Sequence, residues 1–258
     1  MDKSKFNSTS PNTDHTENSI RINKFISDSG LCSRREADKL ILHGRISVNN
    51  KIAEIGTKVY SGDIVTLDGK QIKAAEKLIY IAFNKPVGIT CTTEQKVKGN
   101  IIDYINHPQR IFPIGRLDKD SQGLILLTND GNIVNKILRA GNNHEKEYIV
   151  TVDKPITNEF ISKMSSGVNI LNTRTKPCKI VKLSSYTFNI ILTQGLNRQI
   201  RRMCEFFDYN VNKLKRIRVM NIQLKDLQIG QWRYLTNSEM KEINRLISSS
   251  SKTEEASK

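Results

Sequence analysis

The chain has 258 residues, enough for one full-sized core domain and one small domain. Its 41 Lys and Arg residues outnumber its 26 Asp and Glu residues and give a formal net charge of +15, which indicates a polyanionic partner such as nucleic acid. No apolar run approaches the ~18 residues that a membrane-spanning helix requires, and no basic amphipathic helix is backed by Trp and Phe. A membrane partner is therefore disfavoured.

The metal-ligating residue types are scattered along the chain, and no C-x-x-C pair occurs. We therefore expect reduced thiols and no protein-bound metal. The first residues lack the apolar core of a signal peptide, so a cytoplasmic location is expected. The dispersed residues are Cys32, Cys91, Cys178 and Cys204, with His15, His43, His107 and His144.

A capping-box pattern near the beginning of the chain predicts a helix in a small domain. Ser33 has the position of the N-cap and Glu36 that of N3, and the predicted helix runs to His43. Its N-terminus would present Arg34 and Arg35 to phosphate groups. By itself this is a weak indication, because exposed arginines on a helix are usually only solvated.

The longer pattern around this helix resembles the α-L RNA-binding domain of ribosomal protein S4. It reads R-I-N-K-F-I-x-x-x-G-x-x-S-R-R-E-A-D-x-L-I-x-x-G-R-I-x-V-N-x-K and closes with V-x-x-G-D-I-V-x-L-D-G-K. The resemblance covers about fifty residues. It implies RNA contacts by Arg34, Arg35 and Arg45.

The most informative stretch is Ile114–Gly131, in which a charged turn precedes the apolar run L-I-L-L. That run is too short for a helix and predicts a buried strand. Arg116 and Lys119 flank Asp118 and favour its ionised form, as a nucleophile or an electrostatic stabiliser requires. From spacing alone, a charged surface turn is an equally good interpretation of this segment.

Two later segments carry further candidates. Alternation over Glu147–Asp153 predicts a strand that buries Tyr148. Gly195–Phe207 predicts a helix capped by Asn197, with an apolar stripe on one face and arginines on the other. A solvated basic helix is the alternative to a polyanion-binding surface here. That surface would consist of Arg198, Arg201 and Arg202, followed by Lys213, Lys215, Arg216 and Arg218.

The charged turn resembles the active-site motif of the RNA pseudouridine synthases, G-R-L-D-x-x-S/T-x-G-L-L-L-L-T-N-D-G, with Ile125 in place of one Leu. The resemblance implies that Asp118 is the catalytic nucleophile. The K-E-Y-x-V segment implies that Tyr148 stacks on the target base, and R-Q-I-R-R-M implies that Arg201 forms an ion pair with the nucleophile. Arg116 would fill the space that the flipped base leaves.

The resemblance also implies an architecture and a reaction. We expect an α+β protein, with a small α-L RNA-binding domain and a catalytic domain built on a mixed or antiparallel sheet. The reaction would isomerise a uridine in RNA without a cofactor, and Arg198 and Arg202 would help bind the RNA. The expected segments are a disordered tail (1–19), the RNA-binding domain (20–72), a linker (73–77), the catalytic domain (78–247) and a second tail (248–258).

The segment N-N-H-E-K-E-Y is most similar to type F bacterial large-subunit synthases, which implies a uridine in the large ribosomal RNA, with a tRNA as a second candidate. A monomer is expected. Two other classes remain open. A catalytically silent RNA-binding or ribosome-assembly protein would explain the charge equally well. A hydrolase of glycosidic bonds would also use Asp118, but the sequence offers no convincing partner carboxylate.

Overall fold

The computed structural model describes residues 19–73 and 77–250. The chain forms two compact units, residues 1–76 and 77–258. In the described ranges, no helix is long and apolar enough to cross a membrane. The two tails and the linker predicted from composition lie wholly or mostly outside the described residues, so they stay predictions: 1–19, 73–77 and 248–258.

The first unit packs two helices against short antiparallel strands around a core that includes Ile22, Ile26, Ala37 and Ile41. Strands β3-β2-β5-β6 form one sheet in that order, and β1 pairs with β4. The elements are β1 Ile20–Arg21, α1 Ile22–Asp28, α2 Arg34–Leu42, β2 Ile46–Val48, β3 Lys51–Ile52, β4 Lys58–Val59, β5 Val65–Leu67 and β6 Lys70–Gln71.

The capping box predicted at the start of α2 is confirmed. The Ser33 hydroxyl accepts a hydrogen bond from the Glu36 backbone N–H at 3.2 Å, and the Glu36 carboxylate accepts one from the Ser33 N–H at 2.7 Å. These two bonds satisfy backbone donors that the first turn of a helix leaves unpaired. The helix direction, and with it the position of Arg34 and Arg35, is therefore set by local sequence.

The second unit is built on one large mixed sheet with helices on both faces, as the α+β expectation required. The strands of this unit are β7 Tyr80–Lys85, β8 Phe112–Ile114, β9 Gln122–Thr128, β10 Lys146–Val152, β11 Asn169–Ile170, β12 Thr173–Arg174, β13 Lys179–Lys182, β14 Thr187–Leu192, β15 Val211–Val219, β16 Ile222–Gln223 and β17 Trp232–Tyr234. Strands β11 and β12 pair with each other, outside the large sheet of the unit. Its helices are α3 Ile101–Ile105, α4 Gly131–Leu138, α5 Asn158–Ser165, α6 Gln199–Glu205 and α7 Asn237–Ile247, with a 3₁₀ turn at Ala140–Asn142.

The strand order in this sheet is β13-β14-β10-β15-β9-β7-β17, with β8 paired to β9 and β16 paired to β15. The pairs are antiparallel except β9 with β15, which run parallel. Alternate side chains of β7 and β9 enter different clusters: Phe83 and Ile125 pack with α3, α5 and α6, whereas Ala82 and Leu126 pack with α4 and α7. The sheet core is therefore covered on both faces.

The segment around β15 differs from its sequence-based interpretation. A basic surface segment was expected over Lys213–Arg218, but this range lies within the nine-residue strand β15, which runs between β10 and β9. Arg216 is buried, with 4 % of its surface exposed, and Arg218 forms ion pairs with Glu145 and Glu147. The strand was not recognised in the sequence because only some of its inward-facing positions carry apolar side chains.

Candidate active site

Asp118 lies in the loop between β8 and β9, directly before the buried strand. Backbone bonds shape this loop: the Ser121 N–H donates to the Asp118 carbonyl at 3.0 Å, and the Leu117 N–H donates to Cys91 Sγ at 3.4 Å. Leu117 and Ser121 are buried, whereas the Asp118 side chain keeps 31 % of its surface exposed. The loop thus fixes its backbone in the core and presents one carboxylate outward.

The side chain of Lys85 contacts the same loop through hydrogen bonds. Its side chain is fully buried at the end of β7, and its ammonium donates to the carbonyls of Pro86 and Ile89 at 2.8 Å each and to that of Lys119 at 3.4 Å. Burial is the main cause that lowers the pKa of Lys85 below its ordinary value. The turn that follows β7 and the Asp118 loop are therefore held together by one buried ammonium group.

Two arginines face the Asp118 carboxylate. Arg201 Nε and Arg198 Nη1 each lie 3.9 Å from Asp118 Oδ2. The Arg201 guanidinium also donates to the Val211 carbonyl at 3.0 Å and to the Asp120 carbonyl at 3.2 Å, so it is anchored on both sides. Two guanidinium groups from the start of α6 therefore lie beside one partly exposed carboxylate.

Tyr148 lies on the buried face of β10, as the alternation predicted, and is 8 % exposed. It shares the wall of an open cavity of about 670 Å³ with Asp118 and with arginines from three elements. Among the described residues that line this cavity, Asp118 is the only carboxylate. The lining residues that matter below are Arg116, Asp118, Lys146, Tyr148, Arg198, Arg201 and Arg216.

Lys146 is a second buried lysine in this wall, two residues before Tyr148 on the same face of β10. Its ammonium donates to the His144 carbonyl at 3.2 Å. Burial, followed by repulsion from Arg216, lowers the pKa of Lys146 to about 8. The cavity is thus lined by several cations around a single anion.

The structure brings together some of the sequence-predicted residues and separates others. Asp118, Tyr148, Arg201, Arg116 and Arg198 all line the cavity. Arg202 does not: its guanidinium donates to Asn197, at 3.2 Å to the backbone carbonyl and 3.4 Å to the side-chain oxygen. The predicted RNA contacts Arg34, Arg35 and Arg45 belong to the other compact unit.

Two details of the α6 prediction were wrong. The N-cap is Arg198, in the left-handed conformation with φ of 50°, and Asn197 does not cap the helix. Arg201 was expected on the solvated face, yet it is 8 % exposed, because the Asp118 loop and β15 cover that face. The apolar stripe of α6 indicates which face packs against the sheet, but it does not show whether the opposite face is solvated.

The first unit presents Arg34 and Arg35 in solvent, at the N-terminus of α2. Arg45 is exposed but already occupied: it forms an ion pair with Asp68, and its Nε lies 3.1 Å and 3.2 Å from the two carboxylate oxygens. The pair raises the pKa of Arg45 and lowers that of Asp68. A phosphate would have to compete with this carboxylate for Arg45.

Sequence reasoning missed Lys85 and Lys146, which contribute to the site, and it placed Arg216 on an exposed basic surface although this residue is buried. The alternation that buries Tyr148, Val150 and Val152 extends back to Lys146, so the signal was present and was interrupted only by charge. Arg216 likewise alternates with Leu214. Lys85 ends strand β7 directly after the polar Asn84, where no pattern distinguishes a buried lysine from an exposed one.

The comparisons with known proteins agree with this geometry. A family model described as RNA pseudouridylate synthase matches residues 79–206, and an S4 domain model matches residues 20–65. The ribosomal large subunit pseudouridine synthase B of Bacillus subtilis is 35 % identical, over 88 % of this chain and 96 % of the relative. The chain therefore belongs to the RNA pseudouridine synthase family, whose members isomerise uridine to pseudouridine in RNA.

Within this family, the chain is 58 % identical to the dual-specificity RNA pseudouridine synthase RluF of Escherichia coli strain K12, over 91 % of this chain and 82 % of the relative. The RluF protein of Salmonella typhi is also 58 % identical, over 92 % of this chain and 82 % of the relative. A crystal structure described as pseudouridylate synthase superimposes with a TM-score of 0.65 at 27 % identity, covering 87 % of this chain and 99 % of that one. The resemblance to type F that the sequence indicated is thus confirmed.

Proposed function

We propose that this chain isomerises a uridine of large-subunit ribosomal RNA, with Asp118 as the nucleophile. The observation that carries the proposal is the cavity in which the single carboxylate of the described lining lies 3.9 Å from Arg198 and Arg201 and shares the wall with Tyr148. The name of the Bacillus subtilis relative supports the ribosomal target. The dual specificity named for the RluF relatives supports a second target, for which tRNA is our candidate.

The reaction needs no net oxidation or hydrolysis. The N1–C1′ bond of the uridine breaks, the uracil turns, and a C1′–C5 bond forms; the C5 proton leaves to solvent and N1 takes up a proton. Asp118 would attack either C1′ of the ribose or C6 of the base. Arg201 is the proposed positioning partner, because its guanidinium is itself anchored to two backbone carbonyls beside the carboxylate.

The target base must leave its stack to reach Asp118. We propose that Tyr148 stacks on the flipped uracil and that the exposed Arg116 occupies the vacated space in the RNA. Tyr148 also remains a weaker candidate for removing the C5 proton. Arg198, Arg202, Arg34, Arg35 and Arg45 are proposed phosphate contacts, and Arg45 is the weakest of them because of its ion pair with Asp68.

A hydrolase of glycosidic bonds is disfavoured by the same lining. Hydrolysis of that kind generally uses two carboxylates about 5 to 10 Å apart. Asp118 is the only carboxylate among the described residues that line the cavity.

A cytoplasmic location and a monomeric state stay predictions.

Tritium release from ribosomal RNA labelled at uridine C5 tests the proposal. The native protein should release tritium without free uracil, and Asp118→Asn should lower the rate by about four orders of magnitude while RNA affinity is retained. Asp120→Asn is the matched control, since it removes the other carboxylate of the loop. Equal activity of Asp118→Asn and the native protein would refute the nucleophile, and free uracil in the product would favour the hydrolase.

A further inference from the structure

Arg216 is a buried cation at the centre of the catalytic sheet. It lies in the middle of β15, opposite Tyr148 of β10 on one side and opposite Gly123 of β9 on the other. Only 4 % of its surface is exposed, so Arg216 does not belong to an exposed basic surface as the sequence suggested. Its position makes it a neighbour of the strand that carries Tyr148 and of the strand that follows the Asp118 loop.

The guanidinium of Arg216 binds both ends of the loop that carries Asp118. Its Nε donates to the Leu124 carbonyl at 2.6 Å, and its Nη1 makes a long contact of 3.5 Å to the Arg116 carbonyl. Arg116 precedes Asp118 by two residues, and Leu124 belongs to the strand that follows the loop. One side chain therefore holds the entry and the exit of the loop at a fixed separation.

The close approach of β9 and β15 makes this arrangement possible. Gly123 has φ of 110°, and a Cβ atom at this position would lie 2.2 Å from the Arg216 carbonyl oxygen. Such a distance is far below any non-bonded contact, and L-residues rarely adopt this φ. Glycine thus allows the two backbones to meet beside the loop.

The same guanidinium also contacts the proposed stacking residue. Arg216 Cζ lies 6.0 Å from the centroid of the Tyr148 ring, at the outer limit of a cation–π contact. Because Tyr148 and Arg216 are directly opposed on antiparallel strands, the contact limits the movement of the Tyr148 ring. Arg216 is therefore in contact with the Asp118 loop and with the Tyr148 ring at once.

Stability alone does not account for this arginine. No ion pair joins Arg216 to a carboxylate in the described parts of the chain, and its buried Nη2 has no hydrogen-bond partner there. Its charge also disfavours the protonated forms of Lys146 and Lys85. A buried cation without a counter-charge is destabilising relative to an apolar side chain of similar size. A strained or costly group that persists in an active-site wall is typical of a functional role.

We propose that Arg216 is a positioning residue of this enzyme, which fixes the distance between the Asp118 carboxylate and the Tyr148 ring. The inference rests on the proposed roles of Asp118 and Tyr148. Because only 4 % of its surface is exposed, we assign Arg216 a role through the Asp118 loop and the Tyr148 ring and no direct contact with the reacting atoms. Its loss should therefore slow the chemical step and leave RNA binding unchanged.

Single-turnover kinetics with the C5-labelled RNA separate these two quantities. Arg216→Lys keeps the charge but loses the planar donor set, and Arg216→Gln keeps an amide donor for the Leu124 carbonyl but loses the charge. Each should lower the maximal rate constant by about 10- to 100-fold, because a shift of about 1 Å at a reacting group has effects of this size. RNA concentration at half-maximal rate should stay within about 2-fold of the native value.

Arg233→Lys is the matched control, since Arg233 is a half-buried arginine of β17 that pairs with Glu239 far from the cavity lining. It should react at the native rate, and circular dichroism should show that all variants are folded. A native rate constant in both folded Arg216 variants would overturn the inference, as would a parallel loss of rate and RNA affinity. Full activity of Asp118→Asn would instead overturn the proposed function, so the two failures are distinguishable.

Discussion

Arginines have opposite surroundings in the two compact units. At the start of α2, Arg34 and Arg35 extend into solvent, and their backbone is set by a local capping box. In the catalytic unit, Arg201 and Arg216 are buried, and each donates to carbonyls of distant segments. The exposed arginines can supply salt-dependent attraction to any phosphate. The buried arginines can fix the positions of the proposed reacting groups, but they add nothing to the affinity for RNA.

The backbone contact between β9 and β15 should be the most sensitive point of the buried region. Gly123→Ala would place a Cβ 2.2 Å from the Arg216 carbonyl, so we expect a loss of at least about 4 kcal/mol of unfolding free energy or an insoluble protein. Gly195→Ala is the control, since nothing lies within 4 Å of its added Cβ. Urea denaturation measures both; a stable Gly123→Ala would show that the strands can separate without consequence.

Removal of the anchored arginine beside the carboxylate should have the next largest effect. Arg201→Met leaves Asp118 without one cation and frees the Val211 and Asp120 carbonyls, so we expect the rate of pseudouridine formation to fall about 100-fold. RNA affinity should change little, because Arg201 is buried. Arg201→Lys should be intermediate. If Arg201→Met weakened RNA binding and left the rate constant intact, Arg201 would belong with the exposed arginines.

The buried lysine of the cavity predicts a pH dependence of stability. The folded-state pKa of Lys146 is about 8, below its ordinary value of 10.5, so the unfolded state binds more protons between these values. The unfolding free energy contributed by Lys146 should therefore rise as pH increases from 8 to 10.5, by about 3 kcal/mol.

Chemical denaturation of Lys146→Met and the native protein across this pH range isolates the effect. The rise should be absent in Lys146→Met and retained in Lys163→Met, which removes an exposed lysine paired with Glu159. Identical pH profiles for the native protein and Lys146→Met would mean that solvent reaches the Lys146 ammonium.

Substitution of the exposed arginines should have the smallest effect, a loss of RNA affinity that disappears at high salt concentration. Arg34→Gln combined with Arg35→Gln should weaken RNA binding about 10-fold at low salt and reduce the slope of log affinity against log salt by about one to two units. The rate constant at saturating RNA should not change. Arg45→Gln is the internal control: it should weaken binding less, because Asp68 already neutralises Arg45. Equal effects of the two substitutions would contradict that interpretation.

The local parts of the fold were predictable from sequence. The Ser33 and Glu36 capping box, the buried strand after Asp118 and the inward face of Tyr148 each follow from spacing within a few residues. The family resemblance then supplied candidate roles for Asp118, Tyr148 and Arg201, which the spacing alone left open.

The long-range parts were not predictable. A helix shows its apolar face in sequence, but no pattern indicates that a loop about 80 residues away covers the opposite face and buries Arg201. Nor does the basic run over Lys213–Arg218 reveal a central strand, because its neighbours β10 and β9 are distant in sequence. Arg216 could be recognised only after these strands were known to meet.

The parallel pairing of β9 with β15 has a consequence for the order in which the enzyme is made. Leu124 and Arg216, which this pairing brings into hydrogen-bond contact, are 92 residues apart. At a translation rate of roughly 5 to 20 residues per second, the Asp118 loop leaves the ribosome about 5 to 20 seconds before its arginine partners. A nascent chain that ends shortly after the Asp118 loop therefore lacks the arginines that lie beside Asp118 and the strand that carries Arg216. We expect activity to begin only once β15 has been synthesised and has inserted between β10 and β9.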